Sequence, residues 1–543
     1  MVMLATTAWG QVRPGAVQPG QIERQFERPP EPTVQGGTIT IPAASQQAPE
    51  NAGGIRFTLT SVTVTGATVY SARELEKAYA SLVGKDVTLA QIYGVVETLT
   101  TRYRNDGYIL SRVVVPAQAV EGGVVKLQAV EGYISEVDVQ GGSAAVRGRA
   151  AGYASRIKGQ KPLRASTLEK NVLLLNDLPG IEAHAVLAPG TEAGAAKLVL
   201  QLSEKRVGGS ATVDNRGSIA QGRQRILASA DLNNMLGSSM TEVRQVTTAT
   251  PELSYTAVSH DQYLGSHGLK VTASGSFVYS KPQELSVVPL ELTTKSTTAN
   301  IGLSMPLMRS RSHNLYLRAA FGGFNSESTI FGLRDTLDRL RSVRAGFTFD
   351  AGDGLGGVNI IDAEYSRGLA VTGASHNGDE YLSRLGGRAD YSKATVYAAR
   401  VQALPGRFSA VLAGNGQYAF TDLLAPELFS VGGEQFGRGY DPSELLNDHG
   451  AALKLDLRYA LPVGARQRTV FTPYIFGDAG RVWARTTQPG IESEQTLSSA
   501  GGGLRITIGS VLSGFVEVAK PLDRIVGQEG SRDPRIYAGF SIQ

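Results

Sequence analysis

Apolar and polar positions follow two different rhythms along this chain. Past residue 207 they alternate with period two: Leu453-Lys454-Leu455-Asp456-Leu457-Arg458-Tyr459 alternates without a fault, and 315–319, 504–508 and 535–540 behave likewise. One apolar and one polar face predict strands of a sheet wetted on a single side. Between residues 55 and 206 the period switches between two and 3.6. Phe57–Val64 predicts a strand that ends at Gly66. Ser71 and Glu74 form a capping box for a helix through Leu82. Thr88 and Gln91 open a second helix, in which Leu89, Ile92, Val96, Leu99 and Tyr103 recur at three- and four-residue spacing up to Gly107. Tyr108–Val115 and Val124–Val130 follow as strands. The same order then recurs, with a strand at Ile134–Gln140, helices over 144–157 and Arg164–Leu178, and strands at Ile181–Leu187 and Lys197–Leu202. Two consecutive copies of a ~75-residue βααββ unit account for this text, with boundaries at 55–132 and 133–206.

Ahead of the modules, residues 17–28 have the composition of a short polar helix. Residues 29–54 carry Pro29, Pro30, Pro32, Pro42 and Pro49 among four glycines, which predicts an extended tether. Residues 11–54 are therefore read as a helix plus linker. The first ten residues end in a small-x-small site, Ala8-Trp9-Gly10, but lack a positive start and a long apolar run. They read either as the remnant of an export signal or as an ordinary N-terminus.

Scale separates a barrel from a sandwich. The alternating region spans about 336 residues and has no helices to cover a sheet, and closing it on itself removes exposed edges. At roughly twenty residues per strand and loop it holds about sixteen strands, the even number favoured in transmembrane barrels. The expected fold is mainly β: a 16-stranded transmembrane barrel over 207–543, preceded by the two modules and the N-terminal helix with its linker. Net charge is only +4 with no basic block, so no nucleic-acid partner is expected.

Enzyme chemistry finds little support. Cysteine is absent and the six histidines show no metal-ligand spacing, so neither metal nor cofactor is expected. Gly352, Gly354 and Gly357 satisfy G-x-G-x-x-G, yet Val358–Tyr365 continues as an alternating strand where a dinucleotide site needs a helix. These glycines are expected to turn a hairpin.

The informative stretch is 429–459. It contains Gly432-Gly433 followed by Gly437-Arg438-Gly439-Tyr440, and a later strand carries Phe476-Gly477-Asp478-Ala479-Gly480. These two motifs, in this order and behind two βααββ modules, resemble the [VI]-R-G-[FY] loop and F-x-D-x-G strand elements of the two-partner secretion transporters. Those outer-membrane pores share a superfamily with the barrel-assembly insertases, and the modules resemble their POTRA domains. The resemblance covers essentially residues 17–543. Gly437 departs from the usual apolar residue, and the chain ends on Gln543 where such barrels commonly end on an aromatic residue.

A long loop folded into a wide barrel needs an anchor. Glycines on both sides of Arg438 let its backbone approach the wall, and small residues beside Asp478 leave room for a guanidinium. Spacing alone favours reading the two as independent lumen charges; the resemblance pairs them. It further implies an outer-membrane location in a Gram-negative bacterium, periplasmic modules, membrane lipid around the barrel, and the barrel-assembly machinery as a partner during biogenesis. The implied client is one large exoprotein with an N-terminal secretion domain: an adhesin, haemolysin or contact-dependent toxin. It would pair as a strand with an exposed module edge; candidate edge residues are Tyr108, Val113, Val115, Leu198 and Leu200. The N-terminal helix reads as a resting plug or a floppy leader. Lumen-facing Lys454, Asp456 and Arg458 would let an extended chain slide. Competing readings are a barrel-assembly insertase and a soluble adhesin of β-sandwiches.

Overall fold

The computed structural model describes residues 15–27, 29–33, 39–40, 47–250, 252–283, 291–464, 468–487 and 492–543; the expected signal remnant lies outside the described residues. From Val207–Asp214 to Arg535–Ile542, sixteen strands pair antiparallel with their neighbours and close on themselves. The twelfth, His449–Tyr459, continues after Ala460 as Leu461–Val463. Closure joins the last strand to the first through Ala211↔Ile542, Thr212↔Ser541, Val213↔Phe540 and Asp214↔Gly539. Alternation does its expected work. Leu453, Leu455, Ile475 and Phe321 are exposed on the outer wall, while Asp456, Asp478 and Glu517 are buried in the lumen. Strand length is uneven, from 8 residues in the first strand to 20 in the eighth, Leu333–Gly352.

The glycine-rich turn at 352–357 is a hairpin turn between the eighth strand and the ninth, Gly357–Gly368. The Asp353 amide donates to the Gly357 carbonyl at 2.9 Å, and its carboxylate accepts from the Leu355 and Gly357 amides, each at 3.0 Å.

Each module packs two helices against a three-stranded sheet in which the last strand sits in the middle. In the first, Val124–Val130 lies between Ser61–Thr65, parallel, and Arg112–Val114, antiparallel. In the second, Ala195–Glu204 lies between Tyr133–Gly141, parallel, and Ile181–Pro189, antiparallel. Both capping boxes form, at Ser71/Glu74 and Thr88/Gln91. The helix expected through Leu82 is shorter: Ala72–Glu76, then a 3-10 turn at Ala80–Leu82. The strand expected at Tyr108–Val115 is reduced to Arg112–Val114.

This topology corrects part of the edge assignment. Leu198 and Leu200 are 0% and 1% exposed and lie in a strand paired on both sides. Their period-two pattern reports a buried face, and says nothing about which neighbours flank the strand. The strands flanking it are Tyr133–Gly141 and Ile181–Pro189, and the second of these carries a fourth, two-residue strand from the linker, with Ile39↔Ala185 and Thr40↔Val186 in parallel register.

The second module docks on the barrel mouth. Arg309, at the end of the sixth barrel strand, grips Asp177 in two bonds of 2.7 and 2.8 Å. Asp177 caps the C-terminus of the helix Ala165–Asn176, where a negative charge is disfavoured by the helix dipole and gains from a cation partner. Arg149 and Arg156 add bonds of 3.0 Å to the carbonyls of Gly265 and Ser266 in a barrel turn.

Candidate functional site in the barrel lumen

The connection between the eleventh and twelfth strands, residues 420–448, folds back into the lumen as a short hairpin of Phe429–Val431 with Leu445–Asn447. Its tip is built by glycines. Gly437 has φ +94°, a conformation that is strained for a residue with a β-carbon. At Gly439 an added Cβ would lie 2.8 Å from the Pro521 nitrogen and 2.9 Å from Ser499 Cβ, so the backbone touches the wall.

That approach delivers Arg438 to Asp478. The Arg438 amide and Nε donate to Asp478 Oδ2 at 2.9 and 3.0 Å, and Nη2 donates to Oδ1 at 2.6 Å. Nη2 also reaches Asp456 Oδ1 at 2.8 Å, and Glu517 stands 3.9 Å from Nη1. Phe476 lies beneath the guanidinium, its ring centroid 3.6 Å from the central carbon, a desolvated cation–π contact. Asp456 is shared with Arg458 at 2.7 Å, and Glu517 with Arg216 at 3.0 Å and the Tyr474 hydroxyl at 2.7 Å. Tyr440, 1% exposed, donates its hydroxyl to Asp523 at 2.9 Å. Gly480 makes room for the loop: a Cβ there would meet Val431 at 2.4 Å.

The structure thus brings Gly437, Arg438, Gly439, Tyr440, Phe476, Asp478 and Gly480 to one place. Lys454, Asp456 and Arg458 do face inwards, and the loop engages two of them: Lys454 Nζ lies 5.4 Å from the Phe436 ring centroid and Asp456 accepts from Arg438, while Arg458 pairs with Asp456. Of the first-module residues, Val113 is in an outer strand with its side chain buried, and Val115 lies just beyond it. Tyr108 is not an edge residue. It precedes the strand, and its hydroxyl accepts from Arg164 Nε and Nη2 at 3.1 and 2.8 Å, joining the two modules.

A second anchor escaped the sequence reading. Glu427, in the 3-10 turn Ala425–Glu427, pairs with Lys393 at 2.7 Å, Arg344 at 2.9 Å and Arg24 at 3.4 Å. All four residues are charged types scattered over 400 positions, and only closure of the barrel makes them neighbours.

Arg24 belongs to the N-terminal helix, which is a single turn, Gln21–Arg24, inside the lumen. It is shorter than the expected 17–28 segment. Ile22 and Phe26 pack with Val246, Leu253, Tyr255 and Val278 on the wall. Glu23 accepts from Ser276, Ser296 and Thr298 at 3.3, 3.0 and 2.8 Å. Gln21 donates to the Ala425 carbonyl at 2.9 Å, tying helix to loop. With both in place, a cavity of about 900 Å³ remains, lined by Arg225, Arg244, Thr395 and Lys454 among others.

Comparison with known proteins agrees with this architecture. Residues 57–132 match the ShlB-type POTRA domain, and residues 194–506 match the family described as haemolysin secretion/activation protein ShlB/FhaC/HecB. The Heme/hemopexin transporter protein HuxB of Haemophilus influenzae (strain 86-028NP) is 23% identical over 535 residues, covering 94% of this chain and 92% of HuxB. The outer membrane transporter CdiB of Escherichia coli is 25% identical over 500 residues, covering 88% of this chain and 81% of CdiB. The solved CdiB from Escherichia coli superposes with a TM-score of 0.74 at 20% identity over 94% of each chain. BamA from Haemophilus ducreyi, solved without its POTRA domains 1–3, gives 0.52 at 12% identity over 90% of this chain and all of that one. A loop and a helix held in the lumen, with modules docked at its mouth, are joined by a family match that spans more than half of the chain, and the chain belongs to the ShlB/FhaC/HecB haemolysin secretion/activation family of two-partner outer-membrane transporters.

Proposed function

We propose that this chain exports one large unfolded exoprotein, an adhesin, haemolysin or contact-dependent toxin, from the periplasm to the cell surface. The observation that carries the proposal is that the barrel interior already accommodates polypeptide: a helix and a folded-back loop occupy it together, held by polar contacts that can be exchanged for others. The client's N-terminal domain adds as a strand to a module edge, where main-chain hydrogen bonds provide affinity and alternate side chains provide register. Ile181–Pro189 is the edge favoured in the second module, since Ile39–Thr40 already demonstrates its capacity for pairing, and Arg112–Val114 in the first. The client displaces the linker, the helix leaves the lumen, and the chain threads past the loop. Folding outside the cell makes each exported segment unable to return, so no nucleotide is needed.

The two modules and the tether with its leading helix favour secretion over a barrel-assembly insertase, whose kind usually carries three to five such modules. Deleting this chain and comparing culture supernatants tests the reading. The expected result is loss of one very large protein. An unchanged supernatant accompanied by depleted outer-membrane barrels would replace secretion with insertion.

A further inference from the structure

Export uses the inside of the barrel, yet its outer wall carries a cation cluster that export leaves unexplained. On the eighth strand, outward positions run Phe347, Ala345, Val343 and then Arg341 and Arg339; on the ninth, Ile361, Ala363 and Tyr365 lead to Arg367. Val343, Phe347, Ile361 and Tyr365 are 38–46% exposed, which identifies this parity as the lipid-facing one. Register brings the three arginines together. Arg367 pairs with Val343, so Arg341 is its diagonal neighbour on the same face, about 7–8 Å away. Arg339 follows two residues along the same strand.

Inward arginines of this wall are neutralised: Arg318 pairs with Asp362 and Glu364, and Arg344 with Glu427. Among the described residues, no carboxylate lies within ion-pair distance of Arg339, Arg341 or Arg367. The carboxylates of that face, Glu327 and Asp335, are nearer the hairpin tip, and Glu327 is taken by Arg334 at 2.7 Å. Arg341 is nonetheless held. It lies across Gly323, where a Cβ would stand 3.5 Å from its Cδ, and its Nη1 donates to Asn325 Oδ1 at 2.9 Å and the Leu340 carbonyl at 2.7 Å. Nε and Nη2 make no hydrogen bond among the described residues.

Height places the cluster at a headgroup. From Ala351 to Val343 the outward residues are apolar, and nine tilted residues at ~3.3 Å rise give a band of about 23 Å, close to the ~25 Å expected of an outer-membrane barrel. Tyr365, Phe420 and Tyr418 cluster at its upper edge, with ring centroids 6.1 and 5.1 Å apart in tilted and edge-to-face contact, as an interfacial aromatic girdle does. The arginines begin one step above, on the side opposite the modules. There the outer leaflet of a Gram-negative outer membrane presents phosphorylated glycolipid.

We propose that Arg339, Arg341 and Arg367 bind the phosphates of one anionic outer-leaflet glycolipid, whose acyl chains lie along Phe321, Val343 and Tyr365. Arginine forks suit phosphate oxygens, and partial desolvation at the interface strengthens each bond. The proposal rests on the outer-membrane placement and is independent of the client, so a secretion defect and a lipid defect are separable.

The test is native mass spectrometry of the delipidated full-length protein, titrated with bis-phosphorylated lipid A, dephosphorylated lipid A and phosphatidylglycerol. The bis-phosphorylated form should be retained best. R339Q, R341Q and R367Q should each weaken it about fivefold, and the triple variant on the order of a hundredfold. Undiminished retention by a triple variant that keeps its heat-modifiable gel mobility would overturn the site. Should that variant not fold, equal retention of phosphorylated and dephosphorylated lipid A by the unaltered protein would overturn it instead. Phosphatidylglycerol held as tightly as lipid A would overturn the glycolipid assignment.

Discussion

Replacing Arg438 by alanine removes the single cation that Asp478 and Asp456 share. Three side-chain hydrogen bonds are lost, two to Asp478 and one to Asp456, while the backbone amide bond to Asp478 persists as long as the tip stays in place. What the variant leaves behind matters more: Asp478 and Asp456 are 4% and 2% exposed, and Asp478 retains only the Ser499 hydroxyl at 3.3 Å as a side-chain donor. Breaking a buried pair on one side costs about 3–5 kcal/mol, mostly from the stranded charge. The tip can relieve that cost by undocking and admitting water. Amide protection across 436–440 should then fall by roughly two to three orders of magnitude, at about 1.4 kcal/mol per decade. Hydrogen exchange with mass detection on the detergent-solubilised variant measures this directly, with barrel strands as the internal control. Client secretion should be lost while the barrel keeps its heat-modifiable mobility. Arg438→Lys should fall between, retaining charge but not the fork. Tip protection within a factor of ten of the unaltered protein would show that Tyr440 and Glu427 hold the loop without Arg438, and the anchoring argument would fail.

Other perturbations follow from the same contacts. Deleting residues 15–27 should raise single-channel conductance in planar bilayers, because the helix packs across the lumen from Tyr255 to Ala425; an identical conductance would remove its role as plug. Gly439→Val drives a side chain into Pro521 and Ser499 and should reproduce the Arg438→Ala secretion defect with Arg438 intact; normal secretion would mean the wall yields. In the first module, burial would raise the Glu131 carboxyl, but bonds from Thr68, the Val69 amide and Tyr103 hold it below its ordinary value. Its contribution is therefore complete above about pH 4.3 and lost as pH falls towards the depressed folded value. Amide exchange over 61–130 should accelerate on acidification, and Glu131→Gln should flatten that response; an unaltered pH profile in the variant would assign the acid sensitivity elsewhere.

Periodicity carried most of the fold. Repeated βααββ order, capping boxes and unbroken alternation are local signals, and strand number followed from length divided by a typical repeat. The Arg438–Asp478 meeting was readable only through the two motifs, because forty residues and a barrel wall separate them. Asp456 was legible as lumen-facing but its bond to Arg438 was not, since alternation gives the side a residue faces but not what stands opposite. Glu427, Lys393, Arg344 and Arg24 had no local signature at all. Leu198 and Leu200 failed for the complementary reason: a strand in the middle of a sheet and one at its edge share one pattern. The N-terminal helix shrank to one turn because Gly20 stands before it and the segment has too few apolar residues to sustain a longer face.

The uneven strand lengths give the rim a high side and a low side. Twelve residues more in the eighth strand than in the first, tilted by about 40°, raise one wall by up to about 30 Å over the other. A polypeptide emerging from the pore therefore meets a tall wall on the side of the seventh and eighth strands and a lower one at the closing seam, where the turns after the first strand and before the last are joined by Arg223 and Glu529. Its first folded layers should form there, leaning off-axis, so the direction of growth of the exported protein is set by the architecture of the exit.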